Sequence, residues 1–173
     1  MNLILFRVLD EITKSRRFDR VLEAGCGTGY LAKLLTERYG WSMFALDLGW
    51  PGLNFARSTG VERLTQADIA QLPYPSDSFD AVVSMDVIVH FPPGEEHRAF
   101  SELARVLKPG GLFTVRVSAL NILRSRHSEF AHERQRFTRS RLLSSVRECG
   151  IHVDRCTYAN SLLMPLALAK FRI

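Results

Sequence analysis

Between Val21 and Tyr30 the sequence reads VLEAGCGTGY, with glycines at 25, 27 and 29 and an acid, Glu23, two places before the first. A glycine cluster directly after an apolar run lets the backbone turn tightly and lie against a ligand with no side chain between. The spacing is GxGxG. The dinucleotide fingerprint GxGxxG would need its last glycine at position 30, where Tyr30 stands. A pyrophosphate at a helix N-terminus prefers positive surroundings, whereas an acid at the loop entrance suits an ammonium or sulfonium group. Asp47 closes a second apolar run, WSMFAL, and is placed to accept hydrogen bonds from two ribose hydroxyls.

Other residues have chemistry and a plainer alternative beside it. Asp47 could cap the Gly49–Pro51 turn instead of binding a ligand. Asp68 precedes a loop, where an aspartate commonly makes its own turn. Met85 suits packing as well as contact with a ligand. His90 could serve as a base or simply bond the chain near Pro92. Cys26 reads as a small filler in the loop and not as a nucleophile. Arg124, Arg126, Arg134, Arg136, Arg139 and Arg141 crowd one segment against Glu129 and Glu133. A solvated basic face is the default for such a run, and an anionic substrate held by arginine is the functional alternative. Interleaved aromatics typical of single-strand nucleic-acid binding are missing there. His127 and His132 lack partners at metal-ligand spacing, so no metal is expected.

These residues need a scaffold, and the pattern around them alternates strand and helix. Leu3, Leu5, Phe6, Leu9 and Ile12 predict an opening helix. RVLEA, WSMFAL, VERLTQ, FDAVVS and LFTVRV predict five strands, and IHVDRCTY alternates like a sixth. Helices are expected from Leu31 to the stop at Gly40, from Pro51 to Gly60, from Pro92-Pro93 towards Leu107, and from a Thr138 cap to Gly150. LKPGG reads as a turn. Strands separated by helices imply an α/β, doubly wound, mostly parallel Rossmann-like sheet with helices on both faces, which binds ligands where strand order reverses.

The chain has 173 residues, 46% of them hydrophobic and 24% charged, with a formal net charge of +5. That suits a single domain with a sizeable core. We divide it into an N-terminal helix (1–19), a half that carries the glycine cluster and Asp47 (20–117) and a half that ends in the apolar tail (118–173). No apolar run is long enough to span a bilayer, although SLLMPLALAKF could cover the core, meet another chain or rest on lipid. Three cysteines without CxxC spacing, and no secretion signal, point to reduced thiols and a cytoplasmic location.

VLEAGCGTG, FALDL, QADIAQLPYPSDSFDAVVSMDVIVHF and ARVLKPGGLFTV together resemble the class I S-adenosylmethionine-dependent methyltransferases, in their type 11 small-molecule branch. The resemblance runs from about Arg20 to Tyr158 and implies that 20–117 is the cofactor-binding half and 118–173 the substrate-side half. It implies a cofactor, S-adenosyl-L-methionine, bound by the stretch Glu23, Ala24, Gly25, Cys26, Gly27, Gly29 and Tyr30, with Glu23 and the loop backbone at the methionine end. Asp47 would hold the ribose hydroxyls with Leu48 beside the adenine. Asp68 would meet the adenine amino group, Ile69 would pack near the ring, and Met85 would line the sulfonium side. His90 and Asp86 are the candidates for a catalytic role. Methyl transfer to a small molecule by direct displacement follows, and nucleic acid is not the expected partner because MDVI stands where a DPPY-like tetrapeptide would.

Two features depart from that family. Only about one helix precedes the first strand, and no hairpin follows Tyr158 to supply the usual last antiparallel strand. The expectation is a sheet lacking that strand, with exposed edges that favour a homodimer. The alternative function is a binding or accessory protein that keeps the methyltransferase fold without turnover.

Overall fold

The computed structural model of the chain describes residues 2–123, 130 and 132–159. Five strands, β1 (Arg20–Ala24), β2 (Ser42–Asp47), β3 (Arg63–Gln66), β4 (Phe79–Met85) and β5 (Leu107–Arg116), form one sheet in the order β3-β2-β1-β4-β5. All four pairings are parallel. The chain builds outward from β1 to β3, then returns to the other side of β1 to lay down β4 and β5. The switch point therefore lies between β1 and β4, directly above the glycine cluster that follows β1.

Helices cover both faces, as parallel crossovers require. On one face α1 (Asn2–Ile12), α2 (Tyr30–Tyr39) and α3 (Trp50–Ser58) pack Leu5, Leu9, Leu31, Leu35 and Leu53 against Val21, Met43 and Val83. On the other, α4 (Glu96–Val106) and α5 (Arg139–Glu148) bring Phe100, Leu103 and Val146 against Leu22, Leu46 and Val82. The alternation of Val21 to one face and Leu22 to the other is the period-two signature of a strand buried on both sides. Each fully buried leucine, such as Leu35 or Leu103, contributes about 2 kcal/mol. Helix ends follow their chemistry. Gly40 ends α2 in a left-handed conformation with its N–H on Thr36 O, and the Thr138 hydroxyl accepts from Arg141 N to start α5.

Two expectations need correction. LKPGG is not a turn outside the sheet but the first half of β5. Phe79 pairs with Leu107 and Ala81 with Leu112, so β5 bulges there, with Gly110 at φ +71°. The alternating stretch IHVDRCTY forms no strand. Its apolar positions Ile151 and Val153 instead pack as irregular chain against the α4–α5 core. The alternation reports burial on one side without a neighbouring strand to pair with.

After β5 the chain crosses the carboxyl end of the sheet and is pinned there. Arg134 N and Gln135 N both donate to Val89 O, at 2.9 and 3.2 Å, and Phe137 N donates to Ser118 O at 2.9 Å. Phe137 is buried beneath this cover. Arg124, Arg126, His127 and Glu129 of the basic segment, and the SLLMPLALAKF tail, lie outside the described residues. Among the described residues no helix is long and apolar enough to cross a membrane.

Candidate functional site

The loop after β1 is built by three hydrogen bonds. Gly25 N and Cys26 N both donate to Leu46 O, at 2.7 and 2.9 Å, and Gly29 N donates to Cys26 O at 2.8 Å. The first two tie the loop to the end of β2, so the exits of both strands move as one body. Gly25 has φ +87° and a Cβ there would lie 2.0 Å from Val87 Cγ2, inside any contact distance. The loop thus lies directly against the segment leaving β4. Gly27 differs: it too is left-handed, φ +51°, but a Cβ on it would meet nothing within 4 Å. Its open side is a cradle that the protein leaves uncovered.

Asp47 stands opposite that cradle. Its Oδ2 accepts from Gly27 N at 2.7 Å and its Oδ1 accepts from Gly49 N at 2.8 Å. The turn-capping alternative is thus part of its role, and the same carboxylate organises the glycine loop. Each oxygen keeps a lone pair for a further donor. Beyond it, Leu48 is exposed and its carbonyl accepts from Gln66 Nε2 at 3.0 Å.

Glu23 is buried at 3% exposure, and its Oε2 has no hydrogen-bond partner among the described residues. Burial pushes its carboxyl up to about 8, a backbone contact with Ala32 opposes this, and the Asp47 charge adds to it. An orphaned buried carboxylate oxygen is costly unless something completes it. Cys26, beside it, has its thiol pushed up to about 12 by burial and by the Glu23 and Asp47 carboxylates, so it is held as a neutral thiol and not a nucleophile.

The remaining sequence candidates divide. Ile69 is buried. Asp68 is exposed and its Oδ1 accepts from Ala70 N at 2.8 Å, the turn-making alternative. Met85 packs at the margin of the α1–α3 core. Tyr30 is exposed at the start of α2. His90 ends a 3-10 turn with its Nδ1 facing His132 O at 3.3 Å. Asp86 adopts φ +60° and accepts from Arg116 Nε and Nη2, at 3.0 and 2.5 Å, on Oδ2.

Sequence reasoning missed one buried polar knot. Glu96 is 4% exposed and Gln135 5%. Glu96 accepts from Gly94 N at 2.6 Å and from Arg141, which also bonds the Gln135 side chain. Gln135 in turn donates to Phe91 O at 3.0 Å. The knot joins α4, α5 and the cover over the sheet. These residues are far apart in sequence and polar, so no periodicity announces them.

A doubly wound parallel sheet with a glycine cradle at its switch point, flanked by two carboxylates, is a Rossmann-like architecture. The chain belongs to the type 11 family of class I S-adenosylmethionine-dependent methyltransferases, whose methyltransferase-domain model matches residues 22–115. It is 36% identical over 104 residues to sterol 24-C-methyltransferase ERG6B of Gibberella zeae, covering 56% of this chain and 27% of that one. It is 32% identical over 124 residues to "Probable tRNA methyltransferase 9B" of Homo sapiens, covering 71% and 26%. It is 38% identical over 99 residues to the fatty-acid O-methyltransferase of Mycolicibacterium smegmatis, covering 54% and 35%. The chain therefore spans between about a quarter and about a third of the length of these relatives. Among solved structures, the methyltransferase in complex with the Trm112 activator of Haloferax volcanii aligns with a TM-score of 0.70 at 28% identity, covering 79% of this chain and 62% of that one.

Proposed function

We propose that the chain binds S-adenosylmethionine across the exits of β1 and β2 and transfers its methyl group to a small-molecule acceptor seated beyond β4 and β5. The observation that carries this reading is Glu23 Oε2, a buried carboxylate oxygen left without a partner beside an open glycine cradle. A ligand ammonium supplies the missing donor and the compensating charge. Asp47 retains acceptor capacity for ribose hydroxyls and Leu48 offers an exposed apolar surface to an adenine, while the buried Ile69 and the part-buried Met85 are assigned to the adenine and sulfonium sides. Asp68, whose Oδ1 accepts from Ala70 N, contributes less, since a single adenine amino contact is assigned to it against the two ribose contacts of Asp47.

When bound, the cofactor supplies a methyl carbon already activated on a sulfonium, so that a nucleophile–carbon bond forms as the carbon–sulfur bond breaks and its electron pair stays on sulfur. The protein's own share is positioning and exclusion of water. The loop is held by Leu46 and Asp47 through hydrogen bonds internal to the chain, so little order has to be created on binding. A small-molecule acceptor is supported by the sterol and fatty-acid methyltransferases among the relatives. The tRNA methyltransferase relative makes nucleic acid the reading to test against it.

Calorimetric titration of the purified chain with S-adenosylmethionine and S-adenosylhomocysteine is the test. Micromolar binding that Asp47→Ala weakens at least tenfold is expected. A folded chain that binds neither sinks the proposal. Steeply salt-dependent tRNA binding together with tRNA methylation would replace the small-molecule acceptor.

A further inference from the structure

The strand exits on the far side of the switch point carry an ion pair that cofactor binding does not use. Met85 pairs with Arg116 across β4 and β5, and Asp86 N donates to Arg116 O at 2.9 Å. Arg116 is thus level with the end of β4. In β5, Leu112 belongs to the α1–α3 core while Phe113 and Val115 belong to the α4–α5 core. Arg116, four residues from Leu112, shares the face on which Met85 lies. Asp86 is also the direct chain neighbour of Val87, whose side chain fills the space over Gly25. The pair therefore stands beside the cofactor loop, on the side left for an acceptor.

Its geometry is incomplete. Arg116 Nε and Nη2 both fall on one oxygen, Asp86 Oδ2. Nη1 and Asp86 Oδ1 have no hydrogen bond to a described residue, so the two-to-two arrangement that makes arginine–carboxylate pairs strong is not formed. Asp86 takes φ +60° at this position, a left-handed conformation that aspartate tolerates better than most side chains. Both side chains are open to solvent, Arg116 at 28% and Asp86 at 40%. Arg136, on the same cover, is tied to Glu133 and Ala119 O with only 13% of its side chain exposed. Among the described arginines of this rim a ligand can reach Arg116 and the exposed Arg134, and of the two Arg116 is the one at a strand exit, paired with a carboxylate.

We propose that Arg116 is the recognition site for a carboxylate on the methyl acceptor, with Asp86 holding the guanidinium in place until that carboxylate arrives. The inference rests on the cofactor reading above and narrows its acceptor to a carboxylic acid. Asp86 shows the chemistry that fits: the site already receives a carboxylate from within the chain. A carboxylic acid is ionised at neutral pH and needs no base to become a nucleophile, which agrees with the exposure of His90 and its engagement with the His132 carbonyl.

The test is titration of the full chain, with and without saturating S-adenosylhomocysteine, using octanoate as a free acid and malonyl-N-acetylcysteamine as a carrier-linked acid. Octanamide is the neutral control. We expect one of the two acids to bind at least tenfold tighter than the amide. Arg116→Gln should remove that advantage and Arg116→Lys should restore part of it. S-Adenosylhomocysteine affinity and the thermal midpoint of Arg116→Lys should stay unchanged. Asp86→Asn should tighten binding of the acid several-fold, because asparagine accepts the left-handed backbone and no longer competes as a carboxylate. Such a gain is not something misfolding can produce. Acids that bind no better than the amide, or that bind equally well to Arg116→Gln, overturn the proposal. Loss of S-adenosylhomocysteine binding alone, with Arg116-dependent acid binding intact, would overturn the cofactor reading and leave the anchor standing. Failure of both ligands overturns both.

Discussion

The Asp47 carboxylate receives the Gly27 amide at 2.7 Å across 20 residues of sequence. With its other oxygen on Gly49 N, it stitches the loop after β1 to the turn that opens α3. One side chain thus shapes the cradle and faces whatever lies in it. Asp47→Ala leaves two loop amides without that acceptor, a cost of about 1–3 kcal/mol where the amides cannot turn to water. The expected outcome is a loss of cofactor affinity of tenfold or more, with Asp68→Ala several times milder. Calorimetry on both variants checks the ranking, and equal small effects would show that the ribose is held elsewhere.

Glu23 makes a pH prediction whose sign is opposite to that of an ordinary ion-paired acid. Its folded value of about 8 lies above the unfolded value of 4.5. Between these values the folded state holds a proton that the unfolded chain releases, so stability falls as pH rises through that window and the full penalty is present above pH 8. Glu23→Gln should flatten this slope and stabilise the ligand-free chain at pH 9, by an amount on the order of a few kcal/mol. The same change should abolish tight cofactor binding. In the unsubstituted chain, binding at neutral pH should release a proton, read as a dependence of the calorimetric heat on the buffer's ionisation enthalpy.

Gly25 is fixed by packing as well as by backbone. Alanine there would overlap the Val87 side chain and would have to hold φ +87°. Gly25→Ala should cost about 3 kcal/mol from crowding and left-handed strain combined. Adding Val87→Ala should recover the crowding part only. Urea unfolding of the single and double variants separates the two. Full recovery would mean that the backbone strain is negligible.

Much of this was legible in the residues, for reasons that differ by element. The buried strands β1 and β4 are short apolar runs between turn signals, and a parallel sheet buries both their faces, so pattern and structure coincide. The glycine cluster, Glu23 and Asp47 lie at strand exits, where loop chemistry is local and the spacing carries it. Residues 151–158 misled because alternation registers one-sided burial and says nothing of a pairing neighbour. LKPGG misled because glycine and proline signal both a turn and a bulge. The pairs Asp86–Arg116 and Glu96–Arg141 were invisible, since partners 30 and 45 residues apart meet only after the sheet has formed.

The knot around Glu96 yields the last prediction, and it concerns the cover and not the cradle. Glu96 is almost fully buried, and although burial opposes ionisation, its hydrogen bonds to backbone amides, Arg141 and Gln135 hold its carboxyl below the usual range. A depressed value means that its stabilising contribution is present above the unfolded value and is lost as pH falls through the folded one. Arg141→Ala strips the ionic partner from a buried carboxylate, and removal of one partner costs more than the pair itself was worth. Glu96 keeps Gly94 N and Gln135, so we expect a loss of about 2 kcal/mol, with Glu96→Gln in the Arg141→Ala background recovering part of it. Gln135 ties this knot to Phe91 O, next to the Val89 carbonyl that anchors residues 134 and 135. Loosening it should therefore raise amide exchange at Arg134, Gln135 and Phe137 while the amides of Gly25 to Gly29 stay protected. Exchange measured residue by residue decides this: uniform loosening of both regions would mean that the cover and the cofactor loop unfold as one unit.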